Sequence, residues 1–370
     1  MTEDNRASPA ELLHLRGRAL EKGEPIALPL TLASMYHLPG DPAGYASYGR
    51  SDNPTWEACE KMLGHLEGAE AVLFPSGMAA ITAPFLALLS AGDRVLLPSD
   101  GYYTTRLLAD RILAKLGVTF DRRPTAAFAE GGFEGYRLVF VESPSNPGLD
   151  LCDIAEVAGQ VRSSGGLTIV DNTTMTPFGQ RPLNLGADIV LASDTKAPGG
   201  HSDLLMGHVA ARDAGLIAAL RDWRKISGTI PGPFEAWLLH RSLETLELRF
   251  DRMCRTAGTV AERLAVHPSV KAIRYPGLPG DPAHNLAARQ MQRSGFLVGL
   301  TLASGAAAEA FIAACPFLRP ATSFGGVHSS AERRDRWGDA VAPGFVRLAI
   351  GCEPLDELWP ALDRALAAAD

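Results

Sequence analysis

A single lysine stands immediately after an apolar run in IVLASDTKAPGGHSD, residues 189–203, and two glycines and a histidine follow it. A lysine amine can form an imine with a carbonyl or move a proton, provided burial holds it near neutrality. The bland reading of Lys196 is a solvated loop residue. Other short apolar runs, however, also end in residues of defined chemistry. AVLF (71–74) leads into PSGMAAI, a glycine turn opening a helix, whose free N–H groups suit an anion. RVLL (94–97) leads into PSDGYYTTR with two adjacent tyrosines, and LVFVE (138–142) into SPSNP with Asn146. LTIVD (167–171) ends on Asp171 beside Asn172 and Thr173, and IVLA (189–192) is followed by Ser193, Thr195 and Lys196. Taken singly, each has a structural explanation, since aspartate caps turns and Ser-Gly starts helices.

The runs themselves are almost continuously apolar, as strands buried on both faces are. Helical patterns lie between them, such as IAEVAGQVRSS, closed by Gly165 and Gly166. This alternation predicts an α/β fold over residues 47–235, with a mostly parallel sheet and helices on both faces. Residues 1–46 contain a short helical pattern, then PIALPLTLASMYHLPGDPAG, a Pro- and Gly-spaced stretch that reads as an extended arm. From 236 to 370, a long helical pattern (AWLLHRSLETLELRFDRMCRTAGTVAERLA) leads into a smaller α+β portion. Ligands of open α/β sheets bind beyond the carboxyl ends of the strands. The five polar ends therefore offer an anion cradle, an aromatic, an amide, a carboxylate and a lysine to one place. Pyridoxal 5′-phosphate needs such a set: an amine for its aldehyde, a carboxylate to keep its ring nitrogen protonated, and donors for its phosphate.

The bulk composition narrows the partners. With 46% hydrophobic and 21% charged residues and a net charge of −7, the chain lacks the basic surface that nucleic acid or an anionic membrane demands. No apolar run is long enough to span a bilayer, and MTEDNRASPAELLHLRGR lacks the apolar core of a secretory signal. Five scattered cysteines, with no metal-ligand spacing, fit reduced thiols in a cytoplasm and no metal centre.

The sequence resembles the Cys/Met-metabolism family of PLP-dependent enzymes over nearly its whole length. The resemblance is carried by YGRSDNPTWEACEKMLGHLEGAEAVLFPSGMAAI (48–81), ESPSNPGLDLCDIAEVA, IVDNTTMTPFGQRPLNLGADIVLASDTKAPGGHSD, YPGLPGDPAH, SFGG (323–326) and VRLAIGCE (346–353). It implies a fold type I, aspartate-aminotransferase-like structure with pyridoxal 5′-phosphate as cofactor. Lys196 then matches the Schiff-base lysine, Asp171 the partner of the pyridine nitrogen, and Asn146 the residue near the phenolic oxygen. Gly77, Met78, Ser193 and Thr195 match phosphate ligands, and Tyr102 the tyrosine stacked on the ring, which could also act as an acid near the leaving group. Arg347 matches the arginine that grips the substrate α-carboxylate, and Ser323 the serine beside the substrate. Tyr48 and Arg50 match a pair donated to a neighbouring subunit's phosphate site, which implies a dimer and, in this family, a dimer of dimers.

The departures fall on the pocket walls. Tyr102-Tyr103-Thr104-Thr105 replaces the family's Tyr-Gly-Gly-Thr, Ala197-Pro198 replaces aromatic-Leu after the lysine, and VHSSAERRDRWGDAVAPG departs after SFGG. Thr322 stands where cystathionine γ-lyase-like members carry an acidic residue for the distal amino group. The expected activity is C–S bond cleavage in a small sulfur amino acid, with cystathionine γ-lyase-type γ-elimination leading. A γ-replacement enzyme (cystathionine γ-synthase or O-acylhomoserine sulfhydrylase type), a methionine γ-lyase and a cystathionine β-lyase are the alternatives. A non-catalytic PLP-binding protein is a further one, although such a protein needs neither Arg347 nor Tyr102.

Overall fold

The structure is a computed structural model that describes residues 8–369; the first seven residues of the expected arm lie outside it. The predicted runs form strands β1 (Glu70–Phe74), β2 (Arg94–Pro98), β4 (Leu138–Glu142), β5 (Leu167–Asp171) and β6 (Ile189–Ser193). Two further strands, β3 (Thr119–Arg123) and β7 (Gly207–Ala211), complete a sheet of order β1-β7-β6-β5-β4-β2-β3. Neither reads as an apolar run: TFDRR is largely polar, and GHVAA has a glycine, a histidine and only one large apolar residue. Strand β7 runs antiparallel to both β1 and β6, while β2 to β6 pair in parallel. The carboxyl end of β1 therefore shares an edge with those of β4, β5 and β6.

The apolar strands are buried on both faces, which explains their lack of alternation. Phe140, Ile169 and Leu191 pack on one side with Ala80, Ile81 and Leu108 from the helices at 77–88 and 103–111. On the other side, Val139, Val141 and Val170 meet Val157 and Val161 of helix Ile154–Ser163. That helix closes as predicted, with Gly165 at φ +77° and the Gly166 amide donating back to Val161.

The long C-terminal helical pattern is two helices, Pro233–Leu243 and Leu246–Ala265, broken at Glu244–Thr245. The second bridges two cores. Its start (Leu246, Phe250, Met253) belongs to the core beneath the large sheet, and its end (Ala257, Val260, Leu264) to a separate core. This second core packs on a five-stranded sheet formed by β8 (Ala272–Arg274), β9 (Leu297–Thr301), β10 (Arg319–Pro320), β11 (Ser330–Arg333) and β12 (Phe345–Ala349), in the order β10-β11-β12-β9-β8.

Of the arm, Leu12 is buried and the Trp237 indole donates to the Leu28 carbonyl at 2.7 Å. Ile26, Leu32, Met35 and Tyr45 remain exposed.

One buried polar cluster braces the strand end that carries the lysine. His208 on β7 places Nδ1 2.9 Å from Asp194 and Nε2 3.3 Å from Glu67, all three side chains being buried. Burial alone would lower the histidine's pKa, but Asp194 and then Glu67 outweigh it and hold it at about 10. A pKa raised above its unfolded value stabilises the fold fully below pH 6.5, and that contribution fades as pH rises toward 10. Denaturant unfolding of the wild type should therefore weaken more steeply across this range than that of His208→Gln. At pH 6 the variant, with two carboxylates left unpaired, should be less stable by about 3–5 kcal/mol. Parallel pH profiles for the two proteins would refute the assignment.

Candidate active site

The strand ends open into a cavity of about 490 Å³. Lys196, Asp171, Asn146, Tyr102, Gly77, Met78, Ser193, Thr195, Thr322, Ser323 and Arg347 all line it. Residues predicted from widely separated segments thus meet in one place. Lys196 Nζ donates to Ser323 Oγ at 2.9 Å and lies 5.0 Å from the Phe324 ring centroid. Burial, and then the neighbouring Arg347 charge, lower its pKa to about 8, against the opposing pull of Asp171 and Glu332. The SFGG loop touches the backbone at the lysine. Gly325 has φ +84°, and a Cβ there would fall 2.6 Å from the Ala197 nitrogen, so only glycine fits.

Asp171 is buried, and its Oδ1 accepts from the Thr173 amide at 2.9 Å. On the adjacent strand Glu142 pairs in register with it, accepting from the Tyr102 amide at 2.6 Å and the Asn146 amide at 3.0 Å. Burial raises both carboxyls, and the charge of Asp171 raises Glu142 further. Arg347, on β12, is almost fully buried and donates to Asn146 Oδ1 (2.8 Å), the Thr322 carbonyl (2.7 Å) and Glu332 Oε2 (3.0 Å). Burial lowers its pKa to about 10.

At the anion end, Ser76 caps helix Gly77–Leu88, its side chain accepting from the Ala79 amide at 3.1 Å. A Cβ on Gly77 would lie 2.5 Å from the Ser193 Cβ, so the helix start and the end of β6 press together. Thr195 also lines the cavity, but its hydroxyl is tied to both the amide and the carbonyl of Met206.

Comparison with known proteins settles which family builds such a site. Residues 12–367 match the Cys/Met metabolism PLP-dependent enzyme family. The chain belongs to that family. It is 49% identical, over 93% of its length and 90% of the relative's, to a Streptomyces coelicolor protein named "Putative cystathionine gamma-lyase". It is 38% identical to the cystathionine gamma-synthase of Mycobacterium bovis, covering 87% of each chain. The crystal structure of cystathionine gamma synthase from Xanthomonas oryzae pv. oryzae in complex with cystathionine superimposes with a TM-score of 0.93, at 32% identity and 98% coverage of each chain.

The cofactor of this family is pyridoxal 5′-phosphate, and the residues present fit it. A partly buried amine, a buried carboxylate and a capped helix start with an adjacent hydroxyl share one cavity. Tyr48 and Arg50, by contrast, do not line it. Arg50 donates to the Lys225 carbonyl at 2.8 Å and lies 5.5 Å from the exposed Tyr48 ring.

Several side chains that hold the site are not legible in the sequence. Arg249 binds the carbonyls of Ala197 and Pro198, fixing the backbone after the lysine. Glu142 orders Tyr102 and Asn146 through their amides, and Glu332 holds Arg347. Only position could have pointed to Glu142, at the tip of a predicted strand.

The lysine's lowered pKa can be read directly. In cofactor-free protein, acylation of Lys196 followed by mass spectrometry should show a midpoint near pH 8. Arg347→Gln removes the second cause of the shift and should move the midpoint upward. A wild-type midpoint at or above about 10, the ordinary lysine range, would refute the described environment.

Proposed function

We propose that this PLP-dependent enzyme cleaves a C–S bond of a sulfur amino acid, with γ-elimination from cystathionine as its leading reaction. When bound, pyridoxal 5′-phosphate supplies an aldehyde that captures amines and a ring that withdraws electrons from the substrate α-carbon. Lys196 holds the cofactor and then moves protons, first at Cα and next at Cβ. Asp171 would keep the ring nitrogen protonated, Asn146 would serve the phenolic oxygen, and Tyr102 would lie against the ring and act as an acid toward the leaving sulfur. The amides of Gly77 and Met78, with Ser193, would hold the phosphate, and Thr195 would join them by turning its hydroxyl from the Met206 carbonyl. Arg347 takes the substrate α-carboxylate, with Ser323 and Thr322 beside it.

One observation carries this reading: an amine held near neutrality shares a cavity with a buried guanidinium, which is a means of moving protons next to a means of gripping a carboxylate. A protein that only carries the cofactor needs no such grip. Thr322, which offers no carboxylate to a distal ammonium, favours γ-replacement of the O-acylhomoserine sulfhydrylase type, whose sulfur nucleophile carries no ammonium, as the second reading. Purified enzyme supplied with cystathionine, cysteine, homocysteine or methionine should release keto acid fastest from cystathionine. Lys196→Ala should lower that rate about a thousandfold or more. Turnover only of an O-acylhomoserine, with sulfide or with cysteine, would select replacement. No product from any of these would overturn both.

The chain is read as an arm (1–46), a cofactor unit (47–235) and a C-terminal unit (236–370), assembled as a dimer of dimers. No helix among the described residues is long and apolar enough to cross a membrane, and the five cysteines are free, which supports a reducing cytoplasmic setting. In each dimer Tyr48 and Arg50 serve the neighbour's phosphate. In support, both lie outside their own cavity, beside an arm with exposed Leu32 and Met35. Co-expression of Arg50→Ala with Lys196→Ala should then restore activity, because each mixed dimer keeps one intact site. Mixed dimers confirmed by mass, yet inactive, would show that Arg50 serves its own chain.

A further inference from the structure

The segment after SFGG departs from the family pattern, and it closes one side of the cavity. Glu332 on β11 is fully buried and stands in register with Arg347 on β12. Three donors reach its carboxylate: Arg347 Nη2 at 3.0 Å, Arg334 Nη1 at 2.6 Å and the Trp337 indole N–H at 2.6 Å. Trp337 is therefore held two hydrogen bonds and one carboxylate away from the guanidinium that would take the substrate's α-carboxylate. A tryptophan so tethered loses its freedom to swing, and Arg336 lies over its ring at 5.5 Å. Even so, Trp337 keeps 58% of its surface exposed and lines the cavity.

The nearby charges are already committed. Arg334, which also lines the cavity, is paired with both Glu332 and Asp339. What the outer cavity offers is apolar surface: Trp337, Tyr103 at 49% exposure and Leu205 at 64%. Single exposed apolar residues are ordinary, but three around one mouth form a lining. Exposed aromatic surface attracts methylene groups through burial, and sulfur through its polarisability.

We propose that Trp337 is a specificity-determining residue. Its indole, pinned by Glu332, is the surface on which the substrate's side-chain carbons and sulfur lie once Arg347 holds the carboxylate. This rests on the cavity being the amino-acid site, as proposed above, but not on which bond is cleaved.

The test is equilibrium binding to the holoenzyme, by calorimetry, of amino acids without a leaving group: 2-aminobutyrate, norvaline and norleucine. Wild type should bind about fourfold more tightly per added methylene. In Trp337→Ala the gain should fall below about twofold per methylene, and in Trp337→Phe it should recover in part. Cofactor content and melting temperature identify a variant that has failed to fold, and the Phe variant then carries the test alone. An unchanged chain-length dependence, a steeper one, or a uniform weakening of all three ligands would overturn the proposal. The keto-acid assay is read separately. If wild type cleaves no C–S bond, the proposed reaction fails, while the binding series still decides the role of Trp337.

Discussion

A guanidinium buried as deeply as that of Arg347 must be surrounded by acceptors, and that requirement ties the two sheets together. Desolvating an unpaired cation costs far more than a fold of this size can spare. Its acceptors come from three segments: Asn146 beyond β4, the Thr322 carbonyl in the loop before SFGG, and Glu332 on β11. The Asn146 bond crosses from the C-terminal sheet to the edge of the large sheet. Satisfying one charge thus sets how the C-terminal unit seats on the strand ends, and the cavity is the space left between them.

The same demand spreads outward. Asn146 is placed by its amide on Glu142, and the other oxygen of that carboxylate holds the amide of Tyr102. Glu332 in turn gathers Arg334 and Trp337, and Arg334 engages Asp339. Tyr102 and Trp337, on different walls of the cavity, therefore hang from one network. A change at either end is felt at Arg347 without touching it, because each intermediate is buried and holds two or more partners at once.

Sequence reveals the parts of this that obey local rules. Buried parallel strands read as apolar runs, and the polar residues at their tips are neighbours in space because parallel strands end together. That is why Lys196, Asp171, Asn146 and the Ser76–Gly77 helix start are legible in the amino-acid sequence alone. The SFGG loop and Arg347, remote along the chain, come only through the family resemblance. Other features resist for physical reasons. Strand β3 has one exposed edge and a polar sequence, and β7 relies on Ala and Gly packing closely against its neighbours. The break at Glu244–Thr245 is invisible to helical periodicity because both halves keep their apolar stripe. Arg249, Glu332 and His208 look like solvated charges in a sequence, since their partners are fixed only by tertiary packing.

The carboxyl pair at the strand tips completes the electrostatics. Asp171 and Glu142 stand side by side in register, and burial raises both. The Asp171 charge adds to burial in making the Glu142 anion harder to form. Burial raises Asp171 more than the Thr173 hydrogen bonds, and then Lys196 and His208, pull it back toward its anion. A further cation placed against Asp171 would reverse that balance. By reciprocity, a carboxylate relieved by a cation stabilises that cation equally. Were the protonated ring nitrogen of the family's cofactor set against Asp171, as proposed above, it would be such a cation, and the carboxylate would stabilise it in return.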